Sequence, residues 1–185
     1  MKVKLVNARL SFPALFEAKA GNLGEEPRFS AAFPIIPGSE NAKALDAALT
    51  AVAKDKWGVK AEAILTELKA MRRVAYKESA LSKDGVVYDG YEGMFTVSAN
   101  SKVRPLVLDR DKSPLVAADG KPYAGCYVDV SIELWAQDNS YGKRINATLS
   151  GVQFRADGDA FSGGRPASPE DFDNIADGAD AAAMV

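Results

Sequence analysis

The sequence contains no histidine, one cysteine and no long apolar run. Without histidine, the Ser-His-Asp and Cys-His nucleophile systems, imidazole general bases and histidine-containing zinc sites are excluded. A single thiol, Cys126, excludes an internal disulfide and a multi-cysteine metal site. No segment approaches the roughly 18 apolar residues of a membrane span, and the N-terminus lacks the apolar core of a signal peptide. The chain is therefore expected to be soluble and intracellular.

Charge is distributed unevenly along the 185 residues. Residues 156–185 carry seven acids and one arginine, whereas the remaining 155 residues carry 22 lysines and arginines against 18 acids. The acidic end is rich in Gly, Ala and Asp and has few large apolar side chains, so it is expected to be disordered. We predict one domain over residues 1–160 and a flexible acidic tail over residues 161–185.

Most of the basic body alternates apolar and polar residues with period two, which predicts strands. These segments are residues 2–12, 28–36, 91–104, 126–137 and 143–155.

In the first strand the alternation directs four side chains to the core: Val6, Ala8, Leu10 and Phe12. The alternation in the last strand slips at Gly151, which predicts a bulge.

Between the second and third strands the period becomes helical. Ser39 is a plausible N-cap, apolar residues recur at helical spacing from Leu45, and Gly58 interrupts the pattern before it resumes up to Arg73. The fold prediction is mainly β: an antiparallel barrel, closed or nearly closed, with a helical insertion at about residues 39–73.

Catalytic candidates are few because the sequence offers only carboxylates and hydroxyls. Asp109, Asp111 and Asp119 could hold Mg²⁺ as in a nuclease, but acids in such a loop are usually solvated turn residues. The chain has neither a phosphate-binding loop nor a dinucleotide fingerprint. We therefore expect a protein without catalytic activity, cofactor or metal, with the nuclease as an alternative.

Binding of single-stranded nucleic acid explains the polar faces better, because it needs cations along a groove and aromatic platforms for the bases. Strand alternation and the hairpin place nine candidates outward: Arg9, Arg28, Lys102, Arg104, Tyr127, Trp135, Tyr141, Lys143 and Arg144. Two alternatives stay open. Trp135 could pack beneath the helical insertion, and Lys143 with Arg144 could be a solvated hairpin flank.

Four segments carry a resemblance to a known family: VNARLSFP at 6–13, FSAAF at 29–33, WAQDNSYGKRINA at 135–147 and LSGVQF at 149–154. The chain resembles the phage single-stranded DNA-binding proteins from about residue 3 to 161. The resemblance implies an OB-fold barrel that coats single-stranded DNA during phage replication or recombination, in the cytoplasm of the infected bacterium and away from membranes. The matched polar residues are Asn7, Arg9, Trp135, Asn139, Tyr141, Lys143, Arg144 and Asn146.

The acidic tail suggests regulation and partner binding. Acidic tails of single-stranded DNA-binding proteins commonly end in an aromatic residue that docks phage or host replication proteins, whereas this chain ends Ala183-Met184-Val185. Phe172 is therefore the partner-binding candidate, and the tail is expected to compete with DNA for the basic body. Self-association on DNA is compatible with this function. The alternative function is a phage assembly or interaction module that binds a protein through the same barrel face.

Overall fold

A computed structural model describes residues 1–21, 24–82, 84–88 and 90–161. Within these ranges the strands are β1 (Lys2–Arg9), β2 (Ser11–Lys19), β3 (Arg28–Ile35), β4 (Tyr76–Glu78), β5 (Phe95–Ser101), β6 (Leu106–Leu108), β7 (Tyr127–Asn139) and β8 (Gly142–Ala156). The helices are α1 (Glu40–Trp57) and α2 (Ala61–Ala70). The predicted mainly β fold with a helical insertion is confirmed. Neither helix is long and apolar enough to cross a membrane.

All eight strands belong to one sheet with the order β1-β7-β8-β5-β3-β2, in which β4 pairs with β5 and β6 pairs with β8. The two ends of this order, β1 and β2, are separated in the chain only by Leu10. The two edge strands of this order therefore come from neighbouring segments of the chain. The described strands nevertheless form no closed ring of hydrogen-bonded pairs. Of the two predicted alternatives, a closed or a nearly closed barrel, the fully closed one is excluded for the described strands.

The pairing is antiparallel except along β8, which runs parallel to β5 and to β6. A parallel pair needs a long crossover, and here β7 and the loops around it supply the connection. The sequence predicted antiparallel strands only, and the two parallel pairs along β8 correct that prediction. The same crossover places β5 and β8 side by side in the middle of the sheet.

Two non-glycine residues with positive φ change the direction of side chains in the first strands. Asn7 has φ 53° at the shift in register between Leu5 and Ala8, and Phe12 has φ 47°. As a result Val6 and Phe12 are exposed, whereas Ala8 is buried. The prediction that Val6 and Phe12 point into the core is wrong, because these local turns break the period of two.

The helical insertion begins and breaks where the sequence predicts. The Ser39 hydroxyl accepts a hydrogen bond from the Ala42 amide at 3.2 Å, and Gly58 ends α1 with φ 56°. The Asn41 side chain exchanges two hydrogen bonds with the backbone of Val6, at 3.0 and 2.9 Å, and so fixes α1 on β1. The buried face of α1, which includes Leu45, joins the core formed by the inward side chains of the sheet.

The hairpin of β7 and β8 is the longest paired element, and its register places Asn139 opposite Gly142. The pairing shifts between Ser131 and Ile132, which lie opposite Gly151 and Leu149, so the predicted bulge at Gly151 is confirmed. Phe161, which the sequence assigns to the tail, packs against the body: the Arg9 guanidinium lies 4.0 Å from its ring centroid. The rest of the tail, including Phe172, lies outside the described residues.

Candidate nucleic-acid interface

The side of the sheet that faces away from the core and the helices carries a polar surface near the hairpin, which we call the outer face. Strand register places its members on β3, β4, β5, β7 and β8, with Asn100 opposite Thr148 and Trp135 opposite Asn146. The outer face consists of Arg28, Lys77, Ser98, Asn100, Trp135, Arg144, Asn146 and Thr148.

Trp135 is 43% exposed on the outer face. Its Nε1–H donates to the Thr148 hydroxyl at 3.1 Å, which holds the indole on the neighbouring strand. Trp57 of α1 instead contacts Asp138, whose position in β7 directs it to the opposite side, with a hydrogen bond of 2.8 Å. Trp135 therefore does not pack beneath the helical insertion. A large aromatic ring is left available for stacking.

Arg144 of the outer face is one of three neighbouring cations, Arg72, Lys77 and Arg144, which we call the cation cluster. Burial, then the charges of Arg72 and Arg144, lower the pKa of Lys77. The Lys77 ammonium donates to the Arg72 carbonyl at 3.4 Å. None of the three forms an ion pair with a carboxylate in the part of the chain that the structure describes. Like charges held together without a counter-ion favour the approach of an anion.

A second basic region lies where β3 begins and β5 ends. The Arg28 guanidinium donates to the neutral side chain of Asn100 at 2.8 Å, so its charge is not neutralised by this bond. Lys102 forms an ion pair with Glu26 at 2.7 Å, and hydrogen bonding to Lys102 lowers the pKa of Glu26. Both cations are solvent-exposed. Arg28 is thus the stronger candidate of the two for an anionic ligand.

The hairpin separates two candidates that are adjacent in sequence. Arg144 lies opposite Gln137 on the outer face, whereas Lys143 lies opposite Asp138 on the side of the helices. Lys143 forms an ion pair with Asp138 at 3.6 Å, and the Trp57 hydrogen bond followed by Lys143 lowers the pKa of Asp138. The two basic side chains therefore do not form one patch.

Tyr141 occupies the tip of the hairpin and is 86% exposed. Its backbone amide donates to the Asn139 side chain at 2.9 Å, which shapes the turn, while the ring contacts solvent. Nothing covers this ring among the described residues, so it extends the aromatic surface beyond Trp135.

The remaining candidates lie elsewhere. Arg9 donates to the carbonyls of Gly125 and Asp159 at 3.2 and 2.7 Å, and these bonds fix the end of the described chain. Tyr127 lies opposite Arg9 and is eight residues from Trp135, roughly 26 Å along the strand. Arg104 is exposed, with its guanidinium carbon 5.5 Å from the ring centroid of Phe16. The structure does not bring these three residues to the outer face.

Three acids, Asp109, Asp111 and Asp119, were considered above as a nuclease site, and each of them binds a neighbouring group of its own loop. Asp109 pairs with Lys121 at 2.9 Å, Asp111 accepts from the Ser113 amide and hydroxyl, and Asp119 accepts from the Val116 amide at 2.7 Å. Hydrogen bonds from Lys121 and from Ser113 lower the pKa of Asp109 and of Asp111, respectively. The described residues contain no group of three or more potential metal ligands. The three acids therefore do not converge on one site.

Sequence reasoning missed Arg72 and Lys77. Residues 69–77 contain four basic side chains and no acid, and this local density was the available signal. In the sequence these basic residues mark only the end of the helical pattern. The strand that follows, β4, has three residues and is too short to show a period of two.

The fold and the outer face together define a β-sheet binding protein, whose exposed indole and unpaired cations suit a ligand with planar groups and negative charge. The family model described as Enterobacter phage Enc34, ssDNA-binding protein, matches residues 1–182. The chain belongs to this family.

This chain is similar to known phage proteins both in sequence and in fold. Protein p50 of Acyrthosiphon pisum secondary endosymbiont phage 1 is 42% identical over 179 residues, which cover 95% of this chain and 94% of that protein. The single-stranded DNA-binding protein from bacteriophage Enc34 superimposes with a TM-score of 0.68 at 28% identity, covering 93% of this chain and 90% of its own. The structure of that protein in complex with ssDNA gives a TM-score of 0.60 at 28% identity, covering 88% and 89%.

Proposed function

We propose that this protein binds single-stranded DNA along the outer face, without catalysis, and coats it during phage DNA replication or recombination in the cytoplasm of the host. The observation that carries the proposal is the combination of the exposed Trp135 with two members of the cation cluster, Lys77 and Arg144, on the outer face. An indole accepts any base by stacking, and cations neutralise phosphates without reading sequence. The relative from phage Enc34 that was solved with ssDNA supports the same ligand.

The arrangement of the strands supports an OB-type barrel for the domain over residues 1–160. The chain segment of β1 and β2 contributes to both ends of the sheet order, and β5 and β8 pair in parallel within a mainly antiparallel sheet. OB folds are partly open five-stranded barrels that use one sheet surface for single strands. In this interpretation the DNA crosses β3 and β5 toward the hairpin.

Among the candidates, Arg28, Trp135 and Arg144 are proposed as direct DNA contacts, together with Arg72 and Lys77. Lys102 and Tyr141, at the two edges of the outer face, extend the path. Arg104 and Lys143 would add only to the long-range positive potential, while Arg9 and Tyr127 would act near the far end of β7.

The acidic tail, residues 161–185 in the sequence-based division, is proposed to compete with DNA for these cations. Phe172 is proposed as the residue that docks a replication protein. The charge contrast between body and tail supports the competition.

The test is a fluorescence titration of oligo-dT and of a matched duplex at two salt concentrations. Binding of the single strand should be tighter, with little preference among dT, dC and mixed oligomers beyond a modest pyrimidine bias. The logarithm of affinity should fall linearly with the logarithm of salt concentration. A salt-insensitive or absent interaction with oligo-dT would instead favour the protein-interaction module.

A further inference from the structure

An aromatic hollow lies on the side of β2 and β3 away from the core, apart from the residues assigned to DNA above. Its volume is about 450 Å³, within the range of small-molecule sites. We call it the aromatic pocket and define it by five of its lining residues: Ser11, Phe12, Tyr88, Tyr91 and Phe161.

Two buried hydroxyls belong to the residues that line the pocket. The Tyr91 ring is buried, and among the described residues its hydroxyl has no hydrogen-bond partner of acceptable geometry. The Ser11 hydroxyl, also buried, lines the same hollow. Burial raises the pKa of Tyr91 and the facing Ser11 hydroxyl opposes that rise, so the two hydroxyls lie close together. Because the Tyr91 oxygen is enclosed, a ligand atom bonds to it only when the surrounding side chains shift, and such a bond would offset the cost of an incompletely satisfied buried hydroxyl.

The Phe12 ring lies at the mouth of the pocket, and the backbone conformation of this residue is energetically unfavourable. Phe12 has φ 47°, a conformation that is unfavourable for a bulky residue, and its side chain is 59% exposed. The Tyr88 ring meets Phe12 edge-on, with centroids 5.6 Å apart. Strain of this kind tends to mark functional positions. The exposed face of Phe12 is therefore available to a planar ligand.

Several contacts shape the inner wall of the pocket. Phe161 lies 6.2 Å from Tyr91 between ring centroids and is held on its other side by the Arg9 guanidinium. Gly90, with φ 79°, packs so closely on Phe161 that a Cβ at this position would collide with the ring. These contacts define the inner wall of the pocket.

The strand register places the pocket close to the outer face. Ser11 lies opposite Ala32, and Ala32 is four residues along β3 from Arg28, roughly 13 Å. Because alternate residues of a strand share a side, Arg28 and Ala32 both point away from the core. A strand bound at Arg28 can therefore reach the pocket without leaving the sheet.

We propose that the aromatic pocket binds one unstacked base of the bound single strand, with the base against Phe12 and its polar edge toward the hydroxyls of Tyr91 and Ser11. A nucleobase combines the flat apolar surface and the hydrogen-bonding edge that the pocket matches. This inference rests on the proposed function, since it adds a second base site to the strand that crosses the outer face.

The first test is photo-crosslinking of the full chain to oligo-dT in which single thymines are replaced by 5-iododeoxyuridine, followed by peptide mapping. Crosslinks to Phe12 or Tyr88, in addition to Trp135, are expected. Crosslinks confined to Trp135 would overturn the pocket and leave the proposed function standing. If oligo-dT neither binds nor crosslinks, both proposals fail.

The second test measures the oligo-dT affinity and the melting temperature of Tyr91→Phe, which removes only the hydroxyl from this buried ring. Tyr91→Phe should weaken oligo-dT binding about two- to tenfold with an unchanged or higher melting temperature. Phe12→Ala should weaken binding about fivefold or more. Unchanged affinity in both pocket variants, or a lower melting temperature of Tyr91→Phe with normal affinity, would overturn the proposal.

Discussion

Trp135 combines exposure with a fixed orientation, because the Thr148 hydroxyl holds its ring nitrogen while the ring contacts solvent. Trp135→Ala should lower the affinity for oligo-dT by roughly 1–3 kcal/mol without unfolding the sheet, since one stacking platform is lost. Affinity is measured by titration and stability by thermal melting. Trp135→Phe is the control and should retain most of the affinity. A variant that melts early or is insoluble would show that the indole serves the fold.

Arg144 and Lys143 differ in the face of the hairpin that they occupy. Arg144→Ala should weaken oligo-dT binding at low salt and reduce the slope of log affinity against log salt by about one unit, because one phosphate contact is lost. Lys143→Ala is the matched control, with the same change in net charge, and should alter the slope much less. Equal slopes in the two variants would mean that Arg144 acts only through the overall charge.

The thiol of Cys126 is fully buried, and burial raises its pKa to about 11. Since the thiolate is the nucleophile, the native protein should resist iodoacetamide at pH 8 and react only after denaturation. Mass spectrometry with and without denaturant measures the alkylation. Rapid modification of the native protein would contradict the buried position of Cys126.

At the scale of elements, the cap at Ser39 is tested by stability. Ser39→Ala removes the acceptor for the Ala42 amide at the start of α1, and should lower the free energy of unfolding by about 0.5–2 kcal/mol. Denaturant titration measures the change. Ser39→Asp retains a capping acceptor and should stay close to the original stability. If both variants lose the same amount, the hydrogen bond is not the cause.

The regular elements could be predicted from the sequence because their periods extend over many residues. β7 and β8 span 13 and 15 residues, with an alternation that slips at Gly151, and the helix pattern includes its cap and its break. The first strand was harder to predict: Asn tolerates a positive φ better than most residues, which is only a weak signal at Asn7, and the residue type of Phe12 gives none. The short β4 and β6, with three residues each, carry no period and were missed.

The candidate site was predictable only where it lies on a long strand. Trp135 and Arg144 follow from the alternation of the hairpin, and the structure places both on the outer face. Lys77 reaches this face through an irregular segment, in which Val74 bridges to Ile145 before β4 joins β5. Such long-range pairing depends on the whole fold, so local sequence could not reveal the cation cluster.

At the scale of the whole molecule, the acidic end of the chain opposes the basic body. Residues 166–185 contain five acids and no base. Their deletion should raise the affinity for both single-stranded and duplex DNA at low salt, because their repulsion acts on any polyanion. The effect should shrink at 1 M salt, where the screening length is about 3 Å. Titrations of the full and shortened chains give the comparison.

A full-length variant with these five acids replaced by Asn and Gln separates charge from length. It should reproduce the effect of the deletion. If neither variant differs from the original chain at low salt, competition by the tail is refuted, and a role in solubility or in partner binding through Phe172 becomes the better explanation.

The pairing of β1 with β7 joins Lys2 to Glu133, 131 positions further along the chain. During synthesis at roughly 5–20 residues per second, β1 must wait on the order of ten seconds before its partner strand leaves the ribosome. Until then its apolar side chains and its backbone edge stay uncovered, and contacts this distant in sequence form slowly. The nascent chain is therefore most vulnerable to aggregation and proteolysis before β7 appears.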